Sequence, residues 1–320
     1  MLSRRNLLLS ALTTSVMPRM AHAAGKLNEI RIDWATYNPV SMVLKERALL
    51  EKEFEKDGVG IRWVQTLGSN KALEFLNAGS IDFGSTAGAA ALIGRINGNP
   101  IKSIYVYSRP EWTALVTGKD TSINKIEDLK GRCVAVTRGT DPHIFLVRAL
   151  RSVGLSEREI TPVLLQHPDG KTALIRGDVD AWAGLDPMMA QAQVEDGARL
   201  FYRSKEANTW GILNASDDFL KQYPDVTRRV IAVYEEARKY CLAHYDDEKR
   251  VFMAVTKLPG EVVDIQLKER TELTFNRIGT PQRDSILQAG LALQQAGVLP
   301  ASVDVKQALD GLIDDRYVSA

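Results

Sequence analysis

The chain has 320 residues, 45% of them hydrophobic and 25% charged, which suits an ordinary globular core and a length that favours two domains over one. Lys and Arg number 41 against 40 Asp and Glu, a net charge of +1, so no global field draws the protein to nucleic acid or to an anionic membrane. Any specificity for anions must therefore be local.

The N-terminus reads as an address. Arg4 and Arg5 precede a short apolar stretch over residues 7–17, and Ala21-His22-Ala23 offers a small-x-small cleavage site. Ser10, Thr13, Thr14 and Ser15 interrupt the stretch, which is too short to span a bilayer. Residues 1–23 are expected to be a signal peptide, and the mature protein to be free in the periplasm without a lipid anchor, because no cysteine lies near the cleavage site. The run Ser3-Arg4-Arg5-Asn6-Leu7-Leu8-Leu9 fits twin-arginine export and Sec export alike. Cys133 and Cys241, the two cysteines, each lie in an apolar run and read as small buried hydrophobes, not as a disulfide.

The alternation over 30–32 reads as a strand, 34–39 as a loop, 42–54 as a helix and 59–64 as a second strand. Strand, helix, strand is the unit of a largely parallel sheet. A helix over 69–77, ended by Gly79, and a short strand over 81–83 repeat the cycle. The turn Gly79-Ser80-Ile81-Asp82 returns as Gly177-Asp178-Val179-Asp180, each after an Ala-Leu pair, which favours two similar lobes. Past Arg109-Pro110, residues 112–116 and 133–136 read as strands, 126–131 as a turn, and 143–153 as a helix opened by residues 137–142. A return crossing at 203–209 leads into helices expected over 226–244, 249–257, 260–272 and 282–296.

In this order and spacing the chain resembles the periplasmic binding proteins of sulfonate, taurine and nitrate ABC importers, over nearly all of its mature length. The most specific pieces are Gly79-Ser80-Ile81-Asp82-Phe83-Gly84-Ser85-Thr86, residues 126–135, Gly139-Thr140-Asp141-Pro142-His143, and residues 177–183 with Asp186-Pro187. The resemblance implies an α/β, two-lobed periplasmic-binding-protein fold of type II with two crossing strands and the ligand in the interlobe cleft. Residues 24–109 and 208–320 would form one lobe and 110–207 the other. It also implies a monomer that captures a small organic anion, an aliphatic sulfonate, and partners a membrane ABC permease with its ATPase, with no cofactor, no metal and no nucleic acid.

Helix N-termini carry unpaired N–H groups and partial positive charge, so they bind anions without net charge. Three are expected here: Gly68-Ser69-Asn70, Ser85-Thr86-Ala87-Gly88, and Arg138-Gly139-Thr140-Asp141-Pro142-His143. For Ser69, Ser85 and Thr86 an ordinary helix cap is an equal reading. The resemblance adds Thr140 and His143 as donors to the anion. Arg138 can supply charge or be a solvated surface group, and Asp141 can cap its helix or select a ligand with a distal cation. Trp34, and Tyr37 beside Asn38, stand in the first loop, Arg109 and Trp112 at the first crossing, Trp182 before Asp186, and Trp210 at the return crossing. These are the candidate walls and contacts of the organic part of the cleft. Leu185 departs from the aromatic that many sulfonate binders carry there. His143, His167 and His244 are too scattered for a metal site, and neither cysteine stands in a cleft loop, so the chain reads as a binder; a desulfinase-like or pyrimidine-related protein on the same fold is the alternative.

Overall fold

A computed structural model describes residues 27–318, so the expected signal peptide lies outside the described residues. Strand β1 (Glu29–Trp34) buries Ile30 and Ile32 and pairs in parallel with β2 (Gly60–Gln65) along its whole length. The single helix expected between them is two. Helix α1 (Pro39–Glu46) starts at a proline and is capped by Asn38, whose side chain accepts from the Ser41 N–H, and α2 (Leu49–Phe54) begins anew after Ala48 turns left-handed at φ 50°.

Helix α3 (Ser69–Asn77) lies where the sequence puts it. The next strand does not: β3 is Phe83–Ala87, so Ser85 and Thr86 are sheet residues and not the cap of α4 (Gly88–Ile96). The ten-residue β4 (Ile101–Pro110) then carries the chain out of the first sheet.

The second sheet is built from β5 (Leu115–Thr117), β6 (Cys133–Val136), β7 (Thr161–Leu164), β8 (Ala181–Ala183) and β9 (Arg199–Tyr202). Helices α5 (Asp141–Ser152), α6 (His167–Arg176) and α7 (Met188–Asp196) connect them, and the order is β7-β6-β8-β5-β9. Trp112 precedes β5 and is not part of it. One face packs Leu115, Val134, Phe145 and Leu146, the other Val116, Ala135, Trp182 and Met189, as a two-residue period requires.

The return crossing re-enters the first sheet as β10 (Gly211–Ser216), antiparallel between β3 and β4. Helices α8 (Asp217–Gln222), α9 (Pro224–Ala243), α10 (Tyr245–Thr256) and α11 (Gly260–Asp264) follow. The helix expected to run on to residue 272 instead becomes a π-helical turn at Ile265–Glu269 and ends in a strand, β11 (Thr271–Glu272), on the edge of β4. Helices α12 (Thr280–Gln295) and α13 (Val305–Leu312) complete a first sheet ordered β11-β4-β10-β3-β1-β2.

The recurring turn has a physical meaning. Gly79 and Gly177 are both left-handed, at φ 63° and 78°. Asp82 then exchanges backbone and side-chain bonds with Arg31 of β1: its N–H donates to the Arg31 carbonyl at 2.7 Å and its carboxylate accepts the Arg31 N–H at 2.8 Å. Asp180 does the same to Cys133 of β6, at 2.9 and 2.8 Å. Each aspartate also pairs with an arginine, Arg31 or Arg132. The two sheets are therefore stitched by the same clamp.

Arg270, just before β11, joins the second lobe through a buried pair. Its Nη1 lies 3.1 Å from both oxygens of Asp186, its Nη2 donates to Gln193, and the two charged side chains are 3% and 1% exposed. Removing one partner strands the other charge out of water, so Asp186→Ala is expected to lower the unfolding free energy by about 3–5 kcal/mol. Urea titration checks this; a loss below about 1 kcal/mol would mean that the pair holds nothing together.

Candidate functional site

Between the lobes lies a cavity lined by Tyr37, Ser69, Trp112, Thr140, Asp141, Pro142, His167 and Leu185. It measures about 10 Å³, space for one water at most, so the lobes must part for a ligand to enter. A wider groove of about 780 Å³ opens on the outside, along Arg138, His143 and Arg158.

Three helices begin at the cavity. Ser69 opens α3 from the first lobe, Asp141 and Pro142 open α5 after Thr140, and His167 opens α6. The first-turn N–H groups of each have no partner within their own helix, and each start carries partial positive charge. Helix α4, expected to be an anion site, has spent its donors: the Gly88 N–H bonds to the Trp210 carbonyl at 2.9 Å and the Ala89 N–H to Thr209 Oγ1 at 3.2 Å. The start of α6 was missed, although His167-Pro168 repeats the proline-second signal of Asp141-Pro142.

Tyr37 and Trp112 form an aromatic wall, edge to face at 6.0 Å. The Tyr37 hydroxyl is fixed against Thr66 Oγ1 at 2.8 Å and the Ser85 carbonyl at 3.0 Å. Behind it runs a buried polar network that the sequence did not reveal as a unit. Asn38 donates to Ser85 Oγ and to the Tyr234 hydroxyl, both at 2.8 Å, while the Ser85 N–H and Oγ and the Thr66 hydroxyl all donate to Asp33. Asn38 and Ser85 thus support Tyr37 and do not line the cavity. Thr86 accepts from Asn214 within the sheet, and the Ala87 N–H donates to Ser69 Oγ at 3.0 Å.

Asp141 lines the cavity and does not cap its helix. Its buried carboxylate accepts from Trp112 Nε1 at 2.8 Å, from the Thr209 N–H at 2.8 Å and from the Thr209 hydroxyl at 2.6 Å. Thr140 donates to the Thr137 carbonyl at 2.6 Å, and Gly139 takes φ 75° at the seam between lobes, where a Cβ would stand 3.7 Å from Asn70.

Other expected contacts lie elsewhere. His143 turns its Nε2 to Glu157 at 3.2 Å in the outer groove, and that bond holds the Glu157 carboxyl below its ordinary range. Arg138 stands beside it, 60% exposed. Trp210 is buried against Phe275 and α12, with the Arg109 guanidinium over its ring and Arg109 paired to Glu272 at 3.6 Å. Trp182 is fully buried in the second lobe's core, Trp34 is half-buried beside Lys45, and Asp186 is bound to Arg270. Trp210 went to packing because the return crossing is itself buried.

Cys133 is half-buried in β6. Burial pushes the Cys241 thiol well up, and neither cysteine borders the cavity. Among the described residues no cluster of three or more His, Cys, Asp or Glu could hold a metal, and no helix is long and apolar enough to cross a membrane.

Residues 53–248 match the family model described as NMT1/THI5 like. The chain belongs to the NMT1/THI5-like family. A relative from Escherichia coli (strain K12), named as an aliphatic sulfonates-binding protein, is 27% identical over 84% of this chain and 85% of its own length. Among solved structures, the alkanesulfonate-binding protein SsuA of Xanthomonas axonopodis pv. citri, bound to MOPS, shares the fold with a TM-score of 0.81 and 24% identity, over 90% of this chain and 98% of that one. The periplasmic aliphatic sulphonate binding protein SsuA of Escherichia coli gives a TM-score of 0.75 and 24% identity, over 92% and 94%. The two-lobed α/β architecture of this family is the one described above.

Asp33 makes the network under Tyr37 pH-sensitive. Burial raises its pKa from the ordinary 3.8 to about 6, against the donors from Ser85 and Thr66. The folded state therefore holds the extra proton, and this group's contribution to stability is full below about pH 4 and lost as pH rises through 6. Relative to Asp33→Asn, the wild type is expected to lose about 2–3 kcal/mol of unfolding free energy between about pH 4 and pH 7. Denaturant titrations across that range test it; a difference that stays flat or grows with pH contradicts the assignment.

Proposed function

We propose that this protein captures a small organic anion, an aliphatic sulfonate, in the cleft between its lobes and delivers it to a membrane ABC permease with its ATPase. The observation that carries this reading is the convergence of three helix starts, from both lobes, on one enclosed cavity with an aromatic wall. Backbone N–H groups suit a head with several acceptor oxygens, and Tyr37, Trp112, Pro142 and Leu185 suit a short organic tail. Relatives named for sulfonate binding support the choice of anion. Residues 1–23 act as a cleaved export signal in this reading, and the mature monomer works in the periplasm with residues 24–109 and 208–320 in one lobe and 110–207 in the other. In this reading the ligand leaves as it came, which the relatives named for sulfonate binding support.

Calorimetry on the mature chain with a series of alkanesulfonates is expected to show one-to-one binding and unchanged ligand on prolonged incubation. Sulfite above a boiled control would instead identify a desulfinase. Gly139→Val puts a β-branched residue at φ 75°, a backbone that L side chains rarely adopt, at the seam facing Asn70, and about 1–3 kcal/mol of strain there should weaken binding about five- to a hundredfold. His143→Ala, whose ring faces Glu157, should shift affinity less than about threefold, as should the distant Lys221→Ala. Unchanged affinity in a folded Gly139→Val protein would place the ligand elsewhere.

A further inference from the structure

Resting on the sulfonate reading, the cavity carries a feature that the anionic head does not explain. His167 is fully buried, with Nδ1 3.2 Å from Thr137 Oγ1. The Thr137 hydroxyl spends its proton on the Leu165 carbonyl at 2.7 Å, so it can only accept from the imidazole. Nδ1 therefore carries the ring proton and Nε2 is a bare lone pair. It has no hydrogen-bond partner, and neither does Asn70 Oδ1, whose amide nitrogen turns toward Gln166 at 3.5 Å. The two orphan acceptors face each other across Gly68: a Cβ there would stand 2.9 Å from Asn70 Oδ1 and 3.1 Å from His167 Nε2. One bridging donor can reach both.

Two buried acceptors cannot greet an anion's oxygens, which offer only lone pairs of their own. Protonation of the ring would reverse this, but burial alone pushes the His167 pKa down to about 3. An unpaired buried acceptor is costly to the fold, and native proteins keep one mainly where something else satisfies it. We propose that His167 Nε2 and Asn70 Oδ1 form a second polar subsite that accepts a hydrogen bond from the ligand's tail, so that the ligand class is an alkanesulfonate bearing a hydroxyl or amino group. The head sits on the helix starts, and the tail's donor ends between the two acceptors. His167, from the second lobe, and Asn70, from the first, meet through that donor only when the lobes are together, so the tail is read at closure.

Calorimetry at pH 7 with ethanesulfonate, 2-hydroxyethanesulfonate and 2-aminoethanesulfonate tests this. The quantity read is the affinity ratio between the tighter of the two substituted ligands and ethanesulfonate, expected at about ten- to a hundredfold in the wild type, the worth of a hydrogen bond to otherwise orphaned buried groups. Whatever its effect on ethanesulfonate itself, His167→Leu should collapse that ratio below about threefold, and His167→Gln, which restores an acceptor, should recover part of it. A purely structural histidine would lower all three affinities together and leave the ratio intact. Should His167→Leu fail to fold, Asn70→Ala removes the second acceptor and should reduce the ratio likewise. A wild-type ratio near one, or a ratio that survives both substitutions, overturns the subsite while leaving sulfonate binding in place. Failure of all three ligands to bind overturns the sulfonate reading, and the subsite with it.

Discussion

The geometry of the whole molecule turns on one buried carboxylate. Asp141, at the start of α5, accepts from Trp112 on the outward crossing and from the backbone and hydroxyl of Thr209 on the return crossing. Thr209 Oγ1 in turn accepts the Ala89 N–H at the start of α4 in the first lobe. A single side chain thus ties a helix of one lobe to both connections and, through one hydroxyl, to a helix of the other. Three good donors offset the burial that otherwise pushes its pKa upward. The aromatic wall depends on the same bond, because Trp112 reaches the cavity with its indole N–H already held.

Arg270 and Asp186 brace the opposite side of this junction, and Ile144 and Val147 of α5 pack against Ala89, Ala289 and Leu293 of the first lobe. In the proposed reading these contacts hold the crossings together, and the helix starts at the cavity are the groups left for a ligand. That division explains why so many polar residues near the cleft are spoken for. Asn38, Ser85 and Thr66 are consumed in holding Tyr37 over Asp33, while His167 on the cavity wall keeps an unpartnered nitrogen.

The likeness of the lobes is local as well as topological. In each, a left-handed glycine ends a helix, and the aspartate three residues on clamps the neighbouring parallel strand through both its N–H and its carboxylate. The Gly-x-[Ile/Val]-Asp pattern was legible because every element of it is a short-range requirement: positive φ at glycine, an apolar residue facing the core, a carboxylate within reach of one backbone N–H.

By itself the sequence determined the alternation of strands and helices, the two-sheet organisation, and two of the three helix starts at the cavity, at Ser69 and at Thr140 to Pro142. These follow from periodicity, proline and glycine, which act over a few residues. Tertiary structure alone decided which side chains face the cleft. Trp210 and Trp182 went into cores, His143 turned to Glu157, and Ser85 and Thr86 joined a strand, because burial at a crossing depends on what packs from a distant segment such as α12 or β10. His167 shows the converse. Pro168 after it marks a helix start and nothing more, and only the approach of Thr137, Gly68 and Asn70 from other elements fixes its tautomer and leaves one nitrogen bare, since a hydrogen-bond inventory closes only in three dimensions.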